Sequence, residues 1–322
     1  MKNSVCTLFE KNYHYGAAVL TNSLVKNGFK GDIYAGYRGS LPEWTRVAKP
    51  NPGLNWAGAE TIQVSEDVQL HFLPMPTDAH FTNYKAHFML ELWDGPAKDN
   101  DAMFYFDPDI VFIAEWRYFQ EWVKCGVAVC EDVNSPVYPN NPRRIGWRNY
   151  FVPLGHTMTV KEPIYCNAGF LGLDKKHRDF AELWKRMMDE LAPMFGGLNR
   201  SNVSGLSIPD EMKGDFAPFG QPDQDVLNAA IEAYHGDISF AGQEGMSFKH
   251  GAALIPHALG KVKPWILKPI RQTIGGLPPR TVDKLYWQYA SGPIKPHSGG
   301  EIRRMNTLIK IAALIGRFYR RK

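Results

Sequence analysis

An α/β fold built on parallel strands follows from three features of this 322-residue sequence. Residues 4–9, 16–27 and 32–37 read strand, helix, strand, the order of a parallel βαβ unit. Phe104-Tyr105-Phe106 is short, apolar and β-prone, and it stops at Asp107-Pro108-Asp109 before Ile110-Val111-Phe112 resumes. Hydrophobic residues make up 44% and charged residues 22%, the profile of a globular chain with a large core.

Residues 4–9 alternate and then turn apolar, as a buried first strand does. In 16–27, Ala17, Leu20 and Leu24 share a stripe and Gly28 stops the helix. Ligands in such folds gather at strand carboxyl ends. Residues 7–13, with Thr7, Leu8 and Tyr13, are therefore candidates to line a nucleotide pocket, although Tyr13, His14 and Tyr15 also suit plain loop packing. Residues 41–59, rich in Pro, Gly and Trp, read as an irregular excursion and 68–73 as a strand. Residues 81–93 form a helix, with Lys85 beside its apolar stripe of Phe81, Tyr84, Phe88 and Leu92.

A helix over 116–123 and a strand over 127–130 follow, the strand ending in Glu131-Asp132. Residues 134–155 read as a long loop carrying Arg143, Arg144, Trp147, Arg148 and Tyr150. Loops of this length are commonly lids, and this one is expected over the site, offering a bound acceptor molecule its aromatic faces and anions its arginines. Next come a strand over 164–173, a helix over 177–191, a Gly/Ser/Pro-rich stretch over 195–220, a helix over 222–234 and a strand over 237–240. Residues 1–270 are expected to form the main domain, 271–300 an irregular linker and 301–322 a basic amphipathic helix.

A formal charge of +4 is too weak to point to nucleic acid. Cys6, Cys125, Cys130 and Cys166 form no Cys-x-x-Cys pair, and three lie in strand-like stretches, so buried thiols and the cytoplasm are expected. No secretory h-region and no spanning run of about 18 apolar residues is evident.

Asp107 and Asp109 leave apolar surroundings side by side, where two unpaired carboxylates repel. A divalent cation relieves that repulsion, and hard oxygen ligands suit magnesium or manganese. Asp and Pro are also common turn residues, so the triplet alone reads equally as a surface turn. Asp223-Gln224-Asp225 opens a helix, where acids complement the dipole, yet that role does not need Gln224. His257, Gly260, Lys263 and Pro264-Trp265 cluster within nine residues.

In this order, Asp107-Pro108-Asp109, Asn167-Ala168-Gly169, Asp223-Gln224-Asp225 and His257-x-x-Gly260-x-x-Lys263-Pro264-Trp265 resemble glycosyltransferase family eight. That group includes lipopolysaccharide galactosyltransferases and glycogenin. The resemblance covers residues 4–265. It implies a GT-A-type fold with a mixed, mostly parallel sheet, a nucleotide-sugar donor (probably a UDP-sugar), a saccharide or glycolipid acceptor, and transfer with retention. It implies Mn2+ or Mg2+ held by Asp107, Asp109 and His257. Lys85, Asn167, Gly260 and Lys263 would meet the donor, and Asp223, Gln224 and Asp132 would surround the reacting sugar. An amide is a poor nucleophile, so attack on the face the diphosphate leaves is preferred over a covalent intermediate on Asp132 or Asp223. Two other classes share these residue types: an inactive sugar-nucleotide or glycan-binding protein, and a metal-dependent phosphohydrolase.

Residues 301–322 hold seven basic residues and one acid. At about 100° per residue, Ile302, Met305, Leu308, Ile309, Ala312, Ile315 and Tyr319 share one face, with Arg303, Lys310, Arg317 and Arg321 on another. That pattern suits a helix lying on an anionic membrane, at the inner face for a cytoplasmic protein, with a helix packed on the main domain as the alternative.

Overall fold

The computed structural model describes residues 1–318, and its centre is the pair β1 (Asn3–Glu10) and β2 (Gly31–Arg38). They run parallel, from Ser4 opposite Asp32 to Glu10 opposite Arg38. Between them α1 (His14–Lys26) crosses over one face. The remaining strands are β3 (Lys49–Pro50), β4 (Glu60–Ser65), β5 (Val68–Pro74), β6 (Ala102–Phe106), β7 (Val127–Glu131), β8 (Cys166–Asp174) and β9 (Ile238–Ala241). Among the described residues they form one mixed sheet in the order β3-β4-β5-β2-β1-β6-β8-β7-β9, with β5, β2, β1 and β6 parallel at its heart.

Side-chain alternation assigns the two faces. Cys6, Leu8, Met103 and Tyr105 point into one core, covered by α2 (Lys85–Asp94), α5 (Arg178–Phe195) and α6 (Pro222–Ala233). Val5, Phe9, Phe104 and Phe106 point into the other, covered by α1 and α3 (Trp116–Trp122). Burial on both faces makes β1 and β6 near-continuous apolar runs, which is why they were readable.

Two expectations are corrected, and one alternative left open by the sequence is narrowed. Residues 134–155 are not one long loop: Asn141 caps α4 (Pro142–Phe151), accepting from the Arg143 amide. Residues 271–300 are not irregular throughout: α7 (Pro269–Ile274) is followed by α8 (Thr281–Tyr289), whose Tyr286 and Trp287 are buried. The apolar face expected of residues 301–322 is largely taken up by the protein itself. In α9 (Gly299–Gly316), Met305, Ile309 and Ala312 are buried, the first two in a third core with Val19, Trp265, Tyr286 and Trp287. Tyr319 and Arg321 lie outside the described residues. No described helix is long and apolar enough to cross a membrane.

Candidate metal and donor site

The site forms where the chain leaves β6. The Asp107 amide donates to the Gly169 carbonyl at 2.7 Å, and Ile110 N closes a turn on the Asp107 carbonyl at 3.1 Å. The chain beyond pairs with the distant segment carrying His257: Val111 N donates to the Pro256 carbonyl, and Ala258 N to the Asp109 carbonyl. This short ladder sets His257 Nε2 3.1 Å from Asp109 Oδ1 and 3.9 Å from Asp107 Oδ2. One ligand atom from each of Asp107, Asp109 and His257 lies within 4.8 Å of the others.

Two glycines keep this region open. A Cβ on Gly16 would lie 2.1 Å from the Pro108 carbonyl oxygen, so only glycine lets α1 approach the acidic turn. A Cβ on Gly169 would lie 2.6 Å from His257 Cε1 and 3.0 Å from Asp107 Oδ2, filling the space beside the ligand atoms.

Two lysines meet the carboxylates. Lys85 Nζ lies 3.1 Å from Asp107 Oδ1 and 3.4 Å from Asp223 Oδ2, and donates to the Ala168 carbonyl at 2.9 Å. Lys263 Nζ lies 2.5 Å from Asp109 Oδ2 and donates to the Ala258 carbonyl at 2.7 Å. Burial opposes ionisation of both lysines, but the facing carboxylates outweigh it and raise their pKa values. Burial likewise works against the Asp109 carboxylate; His257 and Lys263 outweigh it and hold its pKa well below the usual range. Asp223 is pushed up by burial and by Asp107, against the pull of Lys85. Three carboxylates, two ammonium groups and the His257 imidazole thus meet in one buried cluster, and a cation bound there would take the place of protons on the carboxylates and the imidazole. The donor set of two carboxylates and an imidazole suits Mn2+, and His257 Nδ1 finds no partner among the described residues.

Beside this cluster, Asn167 Nδ2 donates to Asp132 Oδ2 at 2.6 Å, and Asn134 donates to Oδ1 through both backbone N and Nδ2. Gln224 Oε1 accepts from the Ala168 amide at 3.1 Å, while the buried Nε2 has no partner among the described residues. Tyr13 packs edge-on against Trp265, its ring 5.8 Å from Lys263 Nζ. The structure therefore brings Asp107, Asp109, His257, Lys85, Lys263, Asp223, Gln224, Asn167, Asp132 and Tyr13 to one end of the sheet. Thr7 and Leu8 are buried in the sheet, Leu8 beneath Gly36, and Gly260 sits in an exposed turn at φ +82°. Tyr105, which donates to Asp107 Oδ1 at 2.8 Å, was missed; an aromatic in a buried strand carries no mark of such a role.

The arginines and tryptophan of residues 134–155 do structural duty instead of facing an acceptor. Arg143 Nη2 lies 2.5 Å from Asp225 Oδ1, which also accepts from Tyr165. Burial pushes Asp225 up to about 7 against the pull of Arg143 and the Gln221 amide. Arg144 and Arg148 both bind the buried Glu232, and Trp147 is buried with Nε1 donating to the Pro218 carbonyl.

No protein-family model and no curated protein matches the chain. Solved structures do. The galactosyltransferase LgtC, in complex with donor and acceptor sugar analogues, aligns with a TM-score of 0.51 and 15% identity over 94% of this chain and 99% of its own. The bifunctional glycosyltransferase WbbM, in its apo form, aligns with a TM-score of 0.51 and 14% identity over 95% of this chain. The chain spans 52% of the WbbM chain. At such identity the likeness is one of fold, and the fold is the GT-A type implied by the sequence resemblance.

Proposed function

We propose that this chain is a metal-dependent retaining glycosyltransferase, moving a hexose from a nucleotide-diphosphate sugar, a UDP-sugar first among candidates, to a saccharide acceptor. One observation carries the reading: Asp107, Asp109 and His257 converge within 4.8 Å, with Lys85 and Lys263 on their carboxylates, at the end of β6 in a GT-A-type fold. These three residues would hold Mn2+, or Mg2+, which when bound offsets charge on the leaving diphosphate. Lys263 offers the diphosphate a further cation, and Lys85 keeps Asp107 and Asp223 in register. Screening UDP- and GDP-sugars for Mn2+-dependent thermal stabilisation, then for sugar transfer, tests the reading. Stabilisation without turnover would favour the inactive binding protein, and phosphate release to water the hydrolase. No stabilisation by any donor would sink the reading.

Retention fits attack on the face the diphosphate leaves. Asp132 is a poor nucleophile here, because both its oxygens already accept hydrogen bonds. Gln224 is fixed through Oε1 beside Tyr165, and its Nε2, without a partner among the described residues, would donate to the polar atoms of the reacting sugar. Gln224→Ala should lower turnover about a hundredfold without abolishing it. Intact-mass spectrometry of that variant with donor should find no sugar attached, and an adduct on Asp132 or Asp223 would overturn the same-face route.

The acceptor is either a free or a lipid-linked saccharide, and the outer face of α9 supports the second. With Met305, Ile309 and Ala312 turned inward, Ile311, Leu314 and Phe318 (81% exposed) share the opposite side at about 100° per residue. Arg303, Lys310 and Arg317 flank that stripe on one side and Arg304 on the other. The end of α9 lies against 273–278, where Ile274 and Leu277 are also exposed. Apolar residues between cations suit an anionic membrane surface, with attraction of about 1 kcal/mol per basic residue near the surface. The protein would then meet its acceptor at the inner face of a membrane. It should float with phosphatidylserine vesicles and not with phosphatidylcholine vesicles. The double variant Leu314→Glu, Phe318→Glu should stay in the pellet. Equal flotation of both proteins would remove this face from membrane contact.

A further inference from the structure

The turn joining His257 to Lys263 has little structure of its own, yet it must hold both side chains on Asp109. Its backbone is gripped from α8. Arg280, the residue before that helix, donates from Nη1 to the Leu259 carbonyl at 2.6 Å and from Nη2 to the Val262 carbonyl at 2.8 Å. Asp283, almost fully buried, fixes the guanidinium with contacts of 2.9 Å from Nε and 2.8 Å from Nη2, and accepts from the Arg280 amide as well. One turn on, Trp287 Nε1 donates to the Pro264 carbonyl at 3.0 Å. Three carbonyls of one loop are thus taken by a helix lying beyond the stretch that resembles the transferase family.

We infer that Arg280 is a positioning residue for the metal and diphosphate site, setting His257 and Lys263 through the Leu259 and Val262 carbonyls. The guanidinium suits this work because its planar fork reaches two carbonyls and a carboxylate at once; a lysine ammonium is a point charge that cannot span them. Asp283 supplies the counter-charge and the orientation. Gly260, at φ +82°, lets the backbone reverse between the two gripped carbonyls. Arg280 touches none of the three ligand side chains, so its effect runs wholly through backbone placement.

The inference rests on the proposed metal site, and two readouts separate the two. The first is amide hydrogen exchange over residues 257–264 in the metal-free protein. The second is Mn2+ affinity without donor, read from the free-ion electron paramagnetic resonance signal. In Arg280→Met, exchange at Ala258 and Leu259 should accelerate and Mn2+ should bind about tenfold more weakly, as for other residues that orient metal ligands. Arg280→Lys should fall closer to Met than to the parent, with the far-ultraviolet circular dichroism of all three alike. Unchanged exchange in Arg280→Met overturns the grip, and faster exchange with native Mn2+ affinity overturns the positioning role alone. A parent protein that binds no Mn2+ overturns the functional reading and the positioning role with it.

Discussion

Asp109→Asn should lower sugar-transfer turnover by two to three orders of magnitude at saturating donor, about the loss expected when one group facing a developing charge is removed. The amide keeps the shape of the side chain; its one oxygen can still accept from Lys263 while its amino group faces His257, so the fold should survive. What it loses is the negative charge that balances Lys263 and helps to hold a cation. The effect should therefore appear first as weakened Mn2+ binding, and high Mn2+ should recover part of the rate. Asp107→Asn should behave similarly, since Asp107 meets Lys85 on one oxygen and faces His257 with the other. Near-parental turnover of Asp109→Asn at limiting Mn2+ would remove that residue from the ligand set.

The largest expected loss of stability lies elsewhere. Glu232 sits 2.5 Å from Arg144 Nε and 2.9 Å from Arg148 Nε, with Arg144 and Glu232 both almost completely buried. Arg144 also donates to the Val137, Glu162 and Lys161 carbonyls, gathering both ends of the 134–163 segment around one guanidinium. Glu232→Ala removes the carboxylate that both guanidiniums share and leaves Arg144 buried and Arg148 half-buried without it. Breaking a buried pair from one side costs about 3–5 kcal/mol. Urea denaturation should show a loss of that order, and a loss under 1 kcal/mol would mean that water reaches the guanidiniums freely. Mn2+ binding should suffer less than stability, because Asp107, Asp109 and His257 lie on other segments than α6.

These two sites also mark what was legible beforehand. Asp107 and Asp109 stood out because an acid at the end of a buried apolar strand is costly unless something is done with it. His257 and Lys263 needed the whole spaced set to be noticed. Arg144 and Trp147 carried the opposite message in sequence and in space: a basic, aromatic stretch suggests a surface that binds, yet their partners Glu232 and Pro218 lie more than seventy residues away. Periodicity is blind to such pairings. The strand β4 escaped notice because only Ile62 of its six residues is buried, leaving no clear alternation to read. Residues 271–300 were expected as an irregular linker, but Gly275-Gly276 and Pro278-Pro279 only separate α7 from α8.

The two-sided character of α9 has a practical corollary for dissecting the protein. A helix greasy on opposite flanks would, on the proposed membrane role, be at once ballast and anchor: its inner flank weighs down Trp287, the same side chain that moors Pro264. Cutting the chain before α9 would therefore strip the proposed membrane contact and loosen the packing around Trp287 in one stroke. A truncated protein that drifted off vesicles and also lost catalysis would confound two causes. Only substitutions confined to the outer flank can separate where the molecule resides from what it does there.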